Sequence, residues 1–187
     1  MKAVAAILAV ALLLSVAYAV HDRKQSTAEI DKSIGELRLT LKQADSDDAL
    51  YSGGLIKGLI ALRAETIRDT IAMLEQKRQS LLHRVCLEYQ IAGAASKPAS
   101  AEELQNILQD MARTEKEIER ARAEGAMYSG GLIKGLIAVR IATEQQTLAG
   151  LNQHYLLAKY GIPTLVSVQS EKTTAPVRPT VRDKGAL

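Results

Sequence analysis

The chain has 187 residues, 47% of them hydrophobic but only 3% aromatic, with no Phe and no Trp, and a formal charge of +3 at pH 7. A core of Leu, Ile, Ala and Val without rings suits closely packed helices and argues against a β-sandwich or an aromatic-lined enzyme cleft. Acidic and basic residues alternate along the chain, a solvated mixed surface and not the basic stripe that binds nucleic acid.

The N-terminus, MKAVAAILAVALLLSVAYAVHDRK, joins Lys2 to an apolar run from Ala3 to Val16 and the small-x-small triplet Ala17-Tyr18-Ala19. Residues 1–19 are expected to be either a cleaved signal peptide or a retained transmembrane helix, because the apolar run continues to Val20, close to the roughly 18–20 residues that cross a bilayer. Both readings put the rest of the chain outside the cytoplasm of a bacterial cell, in the periplasm or anchored to the cytoplasmic membrane. No Cys borders the triplet, which argues against a lipoprotein. Cys86 is the only Cys, so no disulfide forms within the chain and packing must stabilise it.

From Gln25 to Leu50 the apolar positions Ile30, Ile34, Leu37, Leu41 and Ala44 step by fours and threes, the heptad seam of an amphipathic helix. The phrase YSGGLIKGLIA follows, Tyr51 to Ala61, and it recurs letter for letter at Tyr128 to Ala138, 77 positions later. A second seam runs through Ile56, Ile60, Ile67, Ile71, Leu74, Leu81 and Val85 and is expected to reach about Ile91. Residues 92–100, AGAASKPAS, read as a linker. Ser100, followed by Ala-Glu-Glu, is a helix N-cap with acids in the first turn.

The second half repeats the first. Ile107, Met111, Ile118 and Ala121 correspond to Ile30, Ile34, Leu41 and Ala44, and Arg63, Thr66, Thr70 and Leu74 recur as Arg140, Thr143, Thr147 and Leu151. The duplicated unit is therefore helix, phrase, helix, with repeat 1 over 25–91 and repeat 2 over 101–160. Gly161-Ile162-Pro163 stops the last helix. Residues 161–187 hold three of the chain's four prolines and the bases Lys172, Arg178, Arg182 and Lys184, the composition of a disordered basic tail.

Two all-α folds fit this pattern. If the Tyr-Ser-Gly-Gly segments are turns, with Ser52 and Ser129 capping the next helices, the tandem helix-turn-helix units form an antiparallel four-helix bundle. Adjacent glycines favour this reading, since two of them destabilise a helix by about 2 kcal/mol against alanine. So does phase: extended by sevens from Ile30 the first seam reaches Gly58, whereas the second passes through Ile60, a slip of about 200° at 3.6 residues per turn. A fold-back about Ser52 sets Ile34 opposite Ile71 and Ala44 opposite Ala61. The alternative is one long antiparallel coiled-coil hairpin that bends only at 92–100 and sets Gly54 against Gly135 and Gly58 against Gly131.

Candidate sites come from the phrase. Ser52, Gly53, Gly54 and Lys57, with Ser129, Gly130, Gly131 and Lys134, form a candidate anion- or ligand-binding set, because a helix start offers unpaired N–H groups and a Lys stands one turn on. GGLIKG is not a P-loop. Gly54, Gly58 and Ala61, with Gly131, Gly135 and Ala138, form a candidate small face for helix packing, beside Leu55, Ile56, Leu59 and Ile60 as an apolar face to be buried. The phrase also has the short, apolar, Lys-bearing character of an interfacial membrane peptide. Arg63, Thr66 and Thr70 and their copies share one helix face, which suits a solvent face, an interhelical hydrogen-bond layer or a ligand groove.

No catalytic or metal-binding constellation can be assembled, since His21, His83 and His154 stand alone and the seams are aliphatic. The expectation is a non-catalytic scaffold or protein-interaction module with no cofactor. Its partner is another envelope protein or a second copy of itself. The alternative is a small-ligand or anion-binding sensor bundle that uses the turn segments.

Overall fold

The computed structural model describes the backbone of residues 2–83 and 98–162, and the side chains of 26–83 and 98–162. These residues form four helices and no strand: α1 (Lys2–Ala49), α2 (Gly54–His83), α3 (Ala101–Ala126) and α4 (Gly131–Lys159). The side chains of the expected leader at 1–19, the part of repeat 1 beyond His83 with Cys86, most of the 92–100 linker, and the tail from Pro163 lie outside the described residues. Among the residues described in full, no helix is long and apolar enough to cross a membrane.

Both helix breaks fall at Tyr-Ser-Gly-Gly, so the chain is a four-helix bundle and not a single long hairpin. Gly54 and Gly131 have φ values of 86° and 85°, a left-handed conformation in which a Cβ is disfavoured. The helix before each turn also closes identically. Leu50 and Tyr51 N–H bond to Asp47 and Asp48 carbonyls, as Met127 and Tyr128 N–H bond to those of Glu124 and Gly125. The duplicated phrase folds as a duplicated turn. Ser129 is not the cap, however. Gly130 is, with no side-chain bond, and Ser52 is likewise exposed two residues before Gly54. The second glycine starts the helix, which leaves each serine too far upstream to reach its first N–H groups.

Ion pairs set the antiparallel register of α1 and α2: Asp31–Arg78, Arg38–Glu75, Asp45–Arg68 and Asp47–Arg63. They centre the fold-back near Leu55 and not Ser52. Ala44 is fully buried while Ala61 is exposed, so the expected facing of these two does not occur. In the second hairpin Arg140 spans to Glu117 at 2.9 Å and Glu124 at 3.6 Å. Beside the turn, a Cβ on Gly125 would lie only 3.2 Å from Ile137 Cγ2, so α3 and α4 approach closely there.

The hairpins dock through α2 and α4, giving the spatial order α1, α2, α4, α3 among the described residues. The predicted seams become the core. Ile30, Ile34 and Leu37 of α1 meet Ile67, Ile71 and Leu74 of α2, and Leu156, Leu157 and Tyr160 at the end of α4 fill the groove between them. Full burial of each aliphatic side chain stabilises the fold by about 1.5–3 kcal/mol. Gln146 Nε2 donates to Thr66 Oγ1 at 3.2 Å midway along, while Leu156 and Leu157 join Ile71 and Leu74 further on. α2 and α4 therefore run in the same direction. That direction removes the antiparallel facing of Gly54 with Gly135 and of Gly58 with Gly131.

The ends of the second hairpin are fixed locally. Ser100 Oγ accepts from Glu103 N–H, and the Glu103 carboxylate accepts from Ser100 N–H at 2.8 Å, a complete capping box. At the end of α4, Gly161 (φ 63°) lets its own N–H reach Ala158 O and Ile162 N–H reach Leu157 O at 2.7 Å. This Schellman arrangement turns Ile162 into the core. Ala99 N–H bonds to Ala158 O at 2.9 Å, tying the entrance of α3 to the exit of α4.

Candidate functional site at the duplicated turns

Because α2 and α4 are parallel, both turns lie at one end of the bundle, and apolar side chains there face outward. Leu132 is 80% exposed and Leu50 78%, and Leu55, Met127, Ile133 and Leu136 are all more than half exposed. The phrase therefore does not bury the face expected of it. Of Leu55, Ile56, Leu59 and Ile60 only Ile60 is buried, and in the copy only Ile137. Arg63, well inside α2, already reaches Asp47 near the end of α1, so the opening turns of α2 overhang the helix that would cover them.

The small-residue face is not a close-packing face either. Beyond the local backbone, no heavy atom lies within 4 Å of where a Cβ would sit on Gly54, Gly58, Gly131 or Gly135. Ala61 is exposed and Ala138 half-buried. The glycines that matter are the two at positive φ.

The anion-binding set is brought to one end but is unequal. Ser52, Gly53, Gly54, Ser129, Gly130 and Gly131 are all exposed. Lys57, however, donates to Tyr51 O at 2.9 Å and pairs with Asp48 Oδ2 at 3.2 Å, so it caps the end of α1. Its copy Lys134 is exposed and has no such partner among the described residues, because Gly125 stands where Asp48 stands in the first unit. Sequence reasoning missed Asp47 and Asp48. The signal was present as ADSDDAL before the first phrase, against AEGAM before the second.

The polar stripe takes a different role in each half. In α2, Arg63 is buried against Asp47, Thr70 is 1% exposed, and Thr66 receives Gln146 from α4, an interhelical hydrogen-bond layer. Thr66 gives its hydroxyl proton to Leu62 O, so it can only accept from Gln146. In α4, Arg140, Thr143 and Thr147 are exposed.

A cleft of about 460 Å³ lies between α1 and α4, with Glu29, Lys32, Ser33, Glu36, Asn152 and Tyr155 among its walls. Ser33 and Tyr160 hydroxyls bond across it at 3.1 Å, and Lys159 pairs with Glu29 at 3.6 Å. Desolvation opposes the charged form of Lys159, but Tyr160, Tyr155 and Glu29 outweigh it and raise its pKa. Lys32 likewise pairs with Glu36 at 3.9 Å, so the charges of the cleft are paired within it. His83 and His154 are exposed. No group of three or more His, Cys, Asp or Glu fit for a metal occurs among the described residues. In comparisons with known proteins, no family model, no curated protein and no solved structure matches the chain.

Proposed function

We propose that the chain is a non-catalytic helical interaction module of the cell envelope, exported or anchored outside the cytoplasm through its N-terminal segment. It presents the paired turns to another envelope protein or to a second copy of itself. The observation that carries this reading is the cluster of outward-facing apolar side chains, Leu50, Leu55, Met127, Leu132 and Ile133, at one end of the bundle. Contiguous exposed apolar residues of this kind mark interaction surfaces. α1 runs as a single helix from Lys2 to Ala49, about 72 Å at 1.5 Å per residue, and the turns sit at its far end from Lys2. An N-terminal attachment would thus hold them away from the membrane surface. The anion-binding reading has less support, because Lys57 is committed to oxygens of its own turn.

The test is photo-crosslinking in intact cells from positions 55 and 132, with exposed Gln76 as the control position. The expected result is a discrete adduct from the two turn positions that Gln76 does not give, identified by mass spectrometry as an envelope protein or this chain. Leu55→Ser with Leu132→Ser should keep the helicity and lose an adduct formed through Met127. Equal adducts from Gln76, or none from the turns, would sink the reading.

A further inference from the structure

We infer that the α3–α4 hairpin carries an open helix-docking groove, and that its occupant is an amphipathic helix of a partner protein lying parallel to α4. The inference rests on the interaction-module reading and names the kind of partner. Its basis is a difference between two halves of the same sequence. In the first hairpin Thr70 is 1% exposed and Leu74 fully buried, because α4 lies over them. Their copies Thr147 and Leu151 are exposed and half-buried, and Leu136 and Arg140 continue the same open stripe towards the turn. The residues are the same, and the environments differ by one covering helix.

Among the described residues there is a single cover for two grooves. The covering face consists of Gln146, Leu156, Leu157 and Tyr160. Their counterparts in α2 are Asp69, Gln79, Ser80 and His83, polar residues of which none is buried. The α2–α4 contact is also head-to-tail. A twofold pairing would have buried the stripe of both helices, whereas only that of α2 is buried. A second copy has its own cover engaged in its own first groove, and no other described element packs over the second, so the occupant is a helix of a partner protein.

The first groove specifies what the second would take. Thr143 gives its hydroxyl proton to Val139 O, as Thr66 does to Leu62 O, which leaves an acceptor facing out for a side-chain amide. Half-buried Met111, Leu148 and Leu151 suit aliphatic side chains about three turns further along the incoming helix. Glu144 stands in place of Ile67, and Asp110 in place of Ser33, which bonds the Tyr160 hydroxyl. Arg113, in place of Glu36, pairs with Asp110 at 3.3 Å, so among the described residues of this groove Glu144 is the added acid without a partner, and it suits a basic residue on the incoming helix.

The probe is a labelled synthetic peptide of residues 142–162, which contains the covering face, titrated into the purified protein and followed by fluorescence anisotropy. We expect saturable binding that Thr147→Arg weakens at least tenfold and Thr143→Val weakens severalfold, with the thermal midpoint unchanged. Leu55→Ser with Leu132→Ser should leave this binding intact, so failure at the turns and failure at the groove are told apart. No saturable binding, or binding indifferent to Thr147→Arg, would overturn the proposal. So would self-association of the protein in sedimentation that Thr147→Arg abolishes, since a second copy would then be the cover.

Discussion

Lys57 reaches back across its turn to Tyr51 O and Asp48, whereas its copy Lys134 finds Gly125 where that carboxylate would be. Identical phrases are thus clamped differently because of a residue outside the phrase. Lys57→Ala should destabilise the fold by about 0.5–1 kcal/mol, a figure kept small because both partners are partly exposed. Lys134→Ala should stay within about 0.5 kcal/mol of wild type. Urea midpoints at unchanged slope measure both, and equal effects would contradict the asymmetry.

The glycines of the phrase should respond to alanine with opposite signs. Gly54→Ala and Gly131→Ala force a Cβ into left-handed backbone and should lower stability by about 1–2 kcal/mol each. Gly58→Ala and Gly135→Ala place a methyl in open space on a helix and should raise it by about 0.5–1 kcal/mol. Thermal unfolding of the four variants decides the matter. A loss at Gly58 would mean that something packs against it.

Equivalent leucines should also differ. Leu74→Ala empties a fully buried site beneath α4 and should destabilise by about 2–5 kcal/mol. Leu151→Ala, at a half-buried position, should fall below about 2 kcal/mol in the same denaturation assay. Parity between them would indicate that the second groove is already covered in the isolated protein.

The capping box gives a pH signature of known sign. Hydrogen bonds from the Ser100 backbone and side chain hold the Glu103 pKa below its ordinary value of 4.5. A carboxylate with a lowered folded pKa stabilises fully above its unfolded value, and that contribution is lost as pH falls through the folded one. The difference in thermal midpoint between wild type and Glu103→Gln should therefore be constant at neutral pH and shrink once the pH drops below 4.5. A difference unchanged down to about pH 2 would show that ionisation of Glu103 plays no part.

Much of this architecture was legible in the sequence, because helix periodicity and glycine chemistry are local. Ile30, Ile34, Leu37 and Ala44 declared their seam by spacing, the phase slip after Leu50 declared a break, and Ser100 and Gly161 declared helix ends. What depended on the meeting of hairpins was not legible. Arg63 and Arg140 are one residue type in one motif, yet only the first is buried, and spacing holds no information about which hairpin lies over which. The apolar letters of the phrase misled for the same reason. A hydrophobic residue in an amphipathic pattern reads as core, but Leu55 and Leu132 stand on turns that overhang their partners.

The head-to-tail sense of the α2–α4 contact has a consequence for chain growth. A unit that both offers a groove and carries a ridge would add to itself without end, as solenoids do unless a polar end unit stops them. In α2 the polar residues Gln79, Ser80 and His83 stand at the positions that carry the ridge in α4. Replacing them with their counterparts in the duplicate, Gln79→Leu, Ser80→Leu and His83→Tyr, should convert a discrete particle into filaments visible by negative-stain microscopy. Three side chains on one helix would then separate a finite molecule from a polymer.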